Sequence, residues 1–222
     1  MEKASAAARV LTAAAAASTA ESAVASRRAM LVIDPQRAFV DGAWARHFGD
    51  VEPIIAAFDA LAVHLASDEL AGVALMTTRV PYAPPDDELY ASLSSHLREA
   101  PQLLKPTTDV TANPRFNEWL CGQINDGVGA LLVCGCTTTS CVRVSSQRIK
   151  HAFPSLRVVV DLALCGARSA NHAKCASEDA ELVNIYGPEL CRGRSAVDLA
   201  AWQMEQAGVV VVDSAGSGGI PW

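Results

Sequence analysis

Three short stretches of this chain carry side chains able to do covalent chemistry. "GCTTTSCVRVSS" (135–146) follows the apolar run "ALLVC" (130–134) and holds one thiol, Cys141, among hydroxyls. "DPQRAF" follows "AMLVI" (29–33) and opens with Asp34, with Gln36 and Phe39 behind it. "LLKPTTD" (103–109) contributes Lys105, the only lysine between Lys3 and Lys150. A thiol in the first turn of a helix meets free N–H groups and the positive end of the helix dipole, and both stabilise a thiolate. The same N–H groups can receive an oxyanion formed when that thiolate attacks a carbonyl. An aspartate takes the thiol proton and hands it to a leaving amine, while a lysine holds charge in the closed pocket. Together the three would hydrolyse a C–N bond. Each residue taken singly also has an inert reading: Asp34 as a turn cap, Lys105 as an exposed loop residue, Cys141 as a small buried hydrophobe.

For these residues to meet, the elements between them must form one sheet. "AMLVI", "GVALMTT" (72–78), "ALLVC", "LRVVVDL" (156–162) and "GVVVVD" (208–213) are short continuous apolar runs, the pattern of strands buried on both faces. Longer segments of helical spacing lie between them. "VEPIIAAFDALAVHLASDEL" puts Ile54, Ile55, Phe58, Leu61, Ala62 and Leu65 on one stripe, and "NPRFNEWLCGQIND" does so with Phe116, Trp119, Leu120 and Ile124. "SAVDLAAWQMEQAG" opens with Ser195 as a cap, has Asp198 at the capping-box position and stops at Gly208. Strands alternating with helices predict a three-layer α/β/α fold around a central, mostly parallel sheet of five to six strands. Ligands of such sheets bind beyond the carboxyl ends of the strands, where Asp34 and the Cys141 stretch fall. Gly135 permits an unusual backbone at the strand exit, and Thr138 or Thr139 is the expected cap of the helix that follows.

Composition narrows the functional classes. The chain has 222 residues, half of them apolar, and a net charge of −6. That length supports one core, and no basic cluster exceeds Arg27-Arg28, so neither nucleic acid nor a membrane surface is an expected partner. No apolar stretch approaches the ~20 residues that span a bilayer. Seven cysteines, an odd number in a chain with a proper core, read as reduced thiols and a cytoplasmic setting. Residues 1–28 are Ala/Ser-rich with little to bury and read as an N-terminal extension; Lys3 and Arg9 before "VLTAAAAA" give a weak organellar transit signal as the alternative. The domain is expected over 29–213, with 214–222 as a tail; "GSGG" (216–219) lacks the following helix that a nucleotide loop needs.

The order "LVIDPQRAF", a lone lysine, then "VCGCTTTSCV" resembles the isochorismatase-like cysteine hydrolase family. Its D-x-Q-x-x-F is matched by Asp34, Gln36 and Phe39, and its G-x-x-T-x-x-C-V by Gly135, Thr138, Cys141 and Val142. The resemblance implies Asp34 as base, Lys105 as its charged partner and Cys141 as nucleophile. It also implies a cis peptide at Cys136–Thr137, with the oxyanion received by the N–H groups of Thr137 and Cys141. Two departures stand out. The phenylalanine after the lysine is delayed to Phe116, which lengthens the loop, and Ser145-Ser146 replace the usual Thr-Ala.

Nicotinamidases of that family add a metal site with an Asp-x-His after the second strand. Here that position reads "TTRVPYAPP", and His47, His64, His96, His151 and His172 never fall at paired ligand spacing, so no metal and no cofactor are expected. Vinyl-ether-cleaving isochorismatases typically lack the cysteine. The remaining expectation is a metal-independent hydrolase of a small amide, ureido or carbamoyl compound, with Phe39, Arg79 and Tyr82 as substrate-binding candidates. The rival is a non-enzymatic binding or scaffolding module of the same fold. The expected partner of the hydrolase is a small-molecule substrate, and a homo-oligomer is its expected assembly.

Overall fold

The computed structural model describes residues 27–215. The first strand, β1 (Arg27–Ile33), begins at Arg27, so Arg27 and Arg28 belong to the sheet rather than to the N-terminal extension; residues 1–26 and the "GSGG" loop lie outside the described residues. β2 (Ala74–Arg79), β3 (Gln102–Leu104), β4 (Val128–Cys136), β5 (Arg157–Gly166) and β6 (Val210–Val212) complete one sheet in the order β3-β2-β1-β4-β5-β6, with every pairing parallel. Helices flank it as a three-layer α/β/α arrangement. They are α1 (Ala43–Phe48), α2 (Glu52–Leu65), α3 (Ala91–Leu97), α4 (Pro114–Asn125), α5 (Arg143–Ala152), α6 (Ser169–Ala173), α7 (Ala180–Tyr186), α8 (Pro188–Cys191) and α9 (Ala196–Gln206). Among the described residues no helix is long and apolar enough to cross a membrane.

The central strands are buried along their length because β1 and β4 each have a neighbour on both edges and helices on both faces. Ala29 through Ile33 and Leu131 through Cys134 have no exposed surface. α2 buries Ile54, Ala57, Phe58 and Leu61, while Ile55, Ala62 and Leu65 sit half-covered at the margin of the predicted stripe. α4 buries Phe116 and Leu120. The Ser195–Asp198 capping box is formed in both directions: the Ser195 hydroxyl accepts from the Asp198 N–H, and the Asp198 carboxylate accepts from the Ser195 N–H at 2.7 Å.

Two details of the sheet differ from the apolar-run reading. β3 is a sixth strand of three residues on the edge; only Leu103 is buried, so no continuous apolar run announces it. β5 runs on to Gly166 through a bulge, in which Val133 faces Val160 and Gly135 faces Cys165. The bulge starts at buried Asp161, whose carboxylate accepts N–H groups from Ala163 and Ser214 and so ties down the chain after β6.

At the exit of β4, Gly135 has φ +107°, and a Cβ there would lie 2.1 Å from the Ile33 carbonyl oxygen. Only glycine lets β4 pass this close to the end of β1. Gly135→Ala is therefore expected to lower stability by about 3 kcal/mol or more, read as a shift in the urea midpoint of the full-length chain.

Candidate active site

Asp34, Lys105 and Cys141 lie together at the carboxyl edge of the sheet. Lys105 Nζ is 2.9 Å from Asp34 Oδ2 and 3.3 Å from Cys141 Sγ, and it donates to the Thr107 carbonyl at 3.0 Å. Both charged side chains are closed to solvent, at 1% and 0% exposure for Lys105 and Asp34. Such a pair is tolerated only because each charge is met by the other and by hydrogen bonds.

Asp34 is the first residue past β1 and stands at φ +48°, a conformation that Asp adopts more readily than most residues. Its N–H donates to Thr78 Oγ1 at 3.1 Å, and that hydroxyl donates back to Asp34 Oδ1 at 2.7 Å. One carboxylate oxygen is thus fixed by Thr78. The other, Oδ2, is left to the Lys105 ammonium at 2.9 Å. Gln36 locks the same corner: its amide nitrogen donates to the Val80 carbonyl at 3.0 Å and its oxygen accepts the Val80 N–H at 2.7 Å.

Lys105 comes from the end of β3, two strands away from β1, and its N–H bonds to the Arg79 carbonyl at 2.7 Å. Two strand spacings are about 10 Å, so only a long side chain reaches Asp34 from there. The lengthened loop behind Lys105 is held by Ser145 of α5, which donates to the Thr108 carbonyl at 3.0 Å and accepts the Val110 N–H at 3.2 Å. Val110 is itself fully buried. Ser145 thus anchors the loop between Lys105 and Phe116, so the two sequence features noted there meet in the structure.

The turn carrying Cys141 is not the start of a regular α-helix. Thr138–Val142 form a π turn that runs directly into α5, and the preceding Cys136–Thr137 peptide bond is cis. Neither Thr138 nor Thr139 caps the helix. Thr138 donates to the Gly166 carbonyl at 3.0 Å, Thr139 Oγ1 accepts from Asn171 Nδ2 at 3.0 Å, and Thr137 stands at the cap position without a side-chain bond. The hydroxyls of the run therefore tie the turn to β5 and α6. The first ladder bond of the π turn runs from Val142 N–H to the Thr137 carbonyl, so the Cys141 amide precedes the ladder.

Electrostatics also departs from the helix-dipole reading. Burial pushes the Cys141 thiol above its ordinary value, the Asp34 charge pushes it further, and Lys105 pulls back only in part. Lys105 is penalised by burial, yet the charges of Asp34 and Cys141 more than offset this and raise it. Burial and charge thus act oppositely on the two groups that Lys105 joins: the ammonium is favoured and the Cys141 thiolate is disfavoured. Cys134 and Cys136 are fully buried, their thiols pushed up chiefly by burial, and their sulfur atoms point at the carbonyls of Leu31 and Asp34.

Of the substrate-binding candidates, Tyr82 stands close enough to Asp34 and Cys141 to feel their charges, and Phe39 packs against Tyr82. Their rings meet edge to face at 5.9 Å, and the Tyr82 hydroxyl is raised by burial and by the charges of Cys136, Asp34 and Cys141. Arg79 instead pairs with Asp87 at 3.4 Å. Thr78, Gln36 and Ser145 had no assigned role in the sequence reading, because a hydroxyl or amide gains one only through the neighbour it meets. Among the described residues no three His, Cys, Asp or Glu side chains cluster as metal ligands.

No protein-family model matches the sequence, and no curated protein matches it. Comparison of structures is more informative. An isochorismatase family protein from Desulfovibrio vulgaris aligns over 86% of this chain and 96% of its own, with a TM-score of 0.61 and 18% identity. The chain has the isochorismatase-like fold. N-carbamoylsarcosine amidase from Thermoplasma acidophilum aligns over 87% of this chain and 99% of its own, with a TM-score of 0.57 and 13% identity. The YcaC gene product of Escherichia coli, an octameric hydrolase of unknown specificity, aligns over 86% and 76% with a TM-score of 0.59 and 18% identity.

With the thiol raised, alkylation of Cys141 by iodoacetamide is expected to reach half its maximal rate above the pH of ~8.5 typical of free cysteine. Lys105→Met should move that midpoint up by removing the cation. Asp34→Asn should move it down by removing the carboxylate charge. Site-resolved mass spectrometry across pH reads all three.

Proposed function

We propose that this protein is a metal-independent cysteine hydrolase that cleaves the C–N bond of a small amide, ureido or carbamoyl compound. The observation that carries the reading is the closed contact of Lys105 Nζ with both Asp34 Oδ2 and Cys141 Sγ, at 2.9 and 3.3 Å. A buried acid, cation and thiol in mutual contact cost stability and have no packing rationale. The company of hydrolases and an amidase among proteins of the same fold supports the reaction class.

In the reaction, Sγ attacks the substrate carbonyl carbon as the thiol proton passes to Asp34 Oδ2, so a neutral thiol needs no standing thiolate. The carbonyl oxygen becomes an oxyanion received by the N–H groups of Thr137 and Cys141. Asp34 then gives its proton to the nitrogen, the C–N bond breaks, and ammonia or an amine leaves a thioester on Cys141. Water attacks the thioester, Asp34 takes the water's proton and returns it to sulfur, and the acid is released. Lys105 stays protonated throughout and keeps Asp34 ionised between the proton transfers. The seven free thiols support a reducing, cytoplasmic setting, and the octameric YcaC supports a homo-oligomer as the working assembly.

Ammonia release from a panel of small amides, ureas and N-carbamoyl acids tests the proposal. Cys141→Ala is expected to abolish release with its unfolding midpoint little changed, and Asp34→Asn or Lys105→Met to lower kcat by about a thousandfold or more. Activity should survive exhaustive chelation. Full turnover by Cys141→Ala would refute the covalent route. Nicotinamide turnover that chelation removes would refute metal independence, and a reactive Cys141 with no turnover would favour the binding module.

A further inference from the structure

The two oxygens of the Asp34 carboxylate meet different partners: Thr78 Oγ1 lies 2.7 Å from Oδ1, and Lys105 Nζ lies 2.9 Å from Oδ2. The direction of the Thr78 hydroxyl is set by its neighbour. The Asp34 N–H, which can only donate, already gives its hydrogen to Thr78 Oγ1 at 3.1 Å. The one hydroxyl hydrogen is left for Oδ1, and the Thr78 side chain has no other hydrogen-bond partner among the described residues. Asp34 is 0% and Thr78 1% exposed, so water does not compete for either bond. A proton on Oδ1 would set two hydrogens against each other, and turning the hydroxyl away would leave it buried without an acceptor. Oδ1 is thus a fixed acceptor.

The same bonds hold the carboxylate still. Thr78 Oγ1 binds the backbone and the side chain of Asp34 at once, closing a small ring just past β1, where Asp34 stands at φ +48°. Thr78 itself is fixed within β2, which pairs directly with β1. Exchange of the two oxygens by rotation would break this ring and the contact with Lys105 together. Oδ2 consequently stays on the side of Lys105, whose Nζ also reaches Cys141 Sγ at 3.3 Å and the Thr107 carbonyl at 3.0 Å. A proton taken up by Oδ2 arrives beside the cation that touches the sulfur from which it came.

We infer that Thr78 is a positioning residue: by keeping Oδ1 engaged, it reserves Oδ2 for the proton that Asp34 takes from Cys141 and gives to the leaving nitrogen. This rests on the proposed hydrolase, in which Asp34 carries that proton. Thr78 acts through Asp34 alone. Its contribution is therefore expected to vanish when the carboxylate is removed, as a purely structural contribution would not.

Acylation of Cys141 by p-nitrophenyl acetate, located by peptide mapping, reads the proton transfer without amide turnover. Sulfur bonds to the acetyl carbon, p-nitrophenolate leaves, and the thiol proton goes to Asp34 Oδ2. In the full-length chain Thr78→Val, nearly isosteric but without the hydroxyl, is expected to slow this burst about tenfold. Thr78→Ser should stay within about twofold of the wild type. Thr78→Ala should match Thr78→Val, which keeps the measurement decisive if valine lowers stability. In the Asp34→Asn background, Thr78→Val should bring no further loss. With an amide substrate, kcat should fall by the same factor at unchanged KM. A wild-type rate in Thr78→Val, a Thr78→Ser rate as slow as that of Thr78→Val, or a further loss in Asp34→Asn would overturn the inference. A burst that depends on Thr78, with no ammonia released from any amide, would instead overturn the hydrolase reading and leave Thr78 as the positioning group of a reactive thiol. Absence of a burst in the wild type would overturn both.

Discussion

A carboxylate and an ammonium 2.9 Å apart and closed to water impose the strictest condition on this fold. Neither charge is stable there alone: removing one partner of a buried pair typically costs 3–5 kcal/mol, because the other remains desolvated. Every nearby element can be understood as meeting that condition. Thr78 on β2 satisfies one oxygen of Asp34, the Thr107 carbonyl takes one ammonium proton, and Gln36 fixes the corner that joins β1 to β2. The chain after Lys105 is held to α5 by two hydrogen bonds of Ser145.

The same pair explains why the thiol does not need the helix terminus in the way an isolated reactive cysteine does. Burial and a neighbouring carboxylate both oppose a thiolate, and Lys105 compensates incompletely. In the proposed reaction the thiol proton would pass to Asp34 as the sulfur attacks. The role of the turn is then geometric. Its π geometry and its ties through Thr138 and Thr139 to β5 and α6 fix the Cys141 amide and sulfur relative to Asp34.

Much of the architecture was legible because burial on both faces leaves a mark in sequence. The apolar runs beginning at Ala29, Gly72, Ala130, Leu156 and Gly208 each contain or overlap a strand, and the stripes around Phe58 and Phe116 each became a helix. β3 left no such mark, since an edge strand of three residues buries one side chain, Leu103. The helices between Ser169 and Cys191 were equally silent. α6 and α7 bury no residue and α8 only Cys191, so no stripe distinguishes them from loop.

For the site, the sequence by itself determined the residue types and their order along the chain: an acid after the first strand, a solitary lysine, a glycine and a thiol after the fourth. Those follow from local chemistry, because strand ends, turn glycines and reactive side chains are properties of a few consecutive residues. Only the tertiary structure decided which distant groups touch. Parallel pairing sets β1 between β2 and β4, which puts Thr78 under Asp34. β3 lies one strand further out, close enough for a lysine side chain to span the gap. Register likewise decided that Arg79, at the end of β2, pairs with Asp87. The rise of the Cys141 thiol followed from the same source, since desolvation and charge–charge distance belong to the assembled site and to no single stretch of residues.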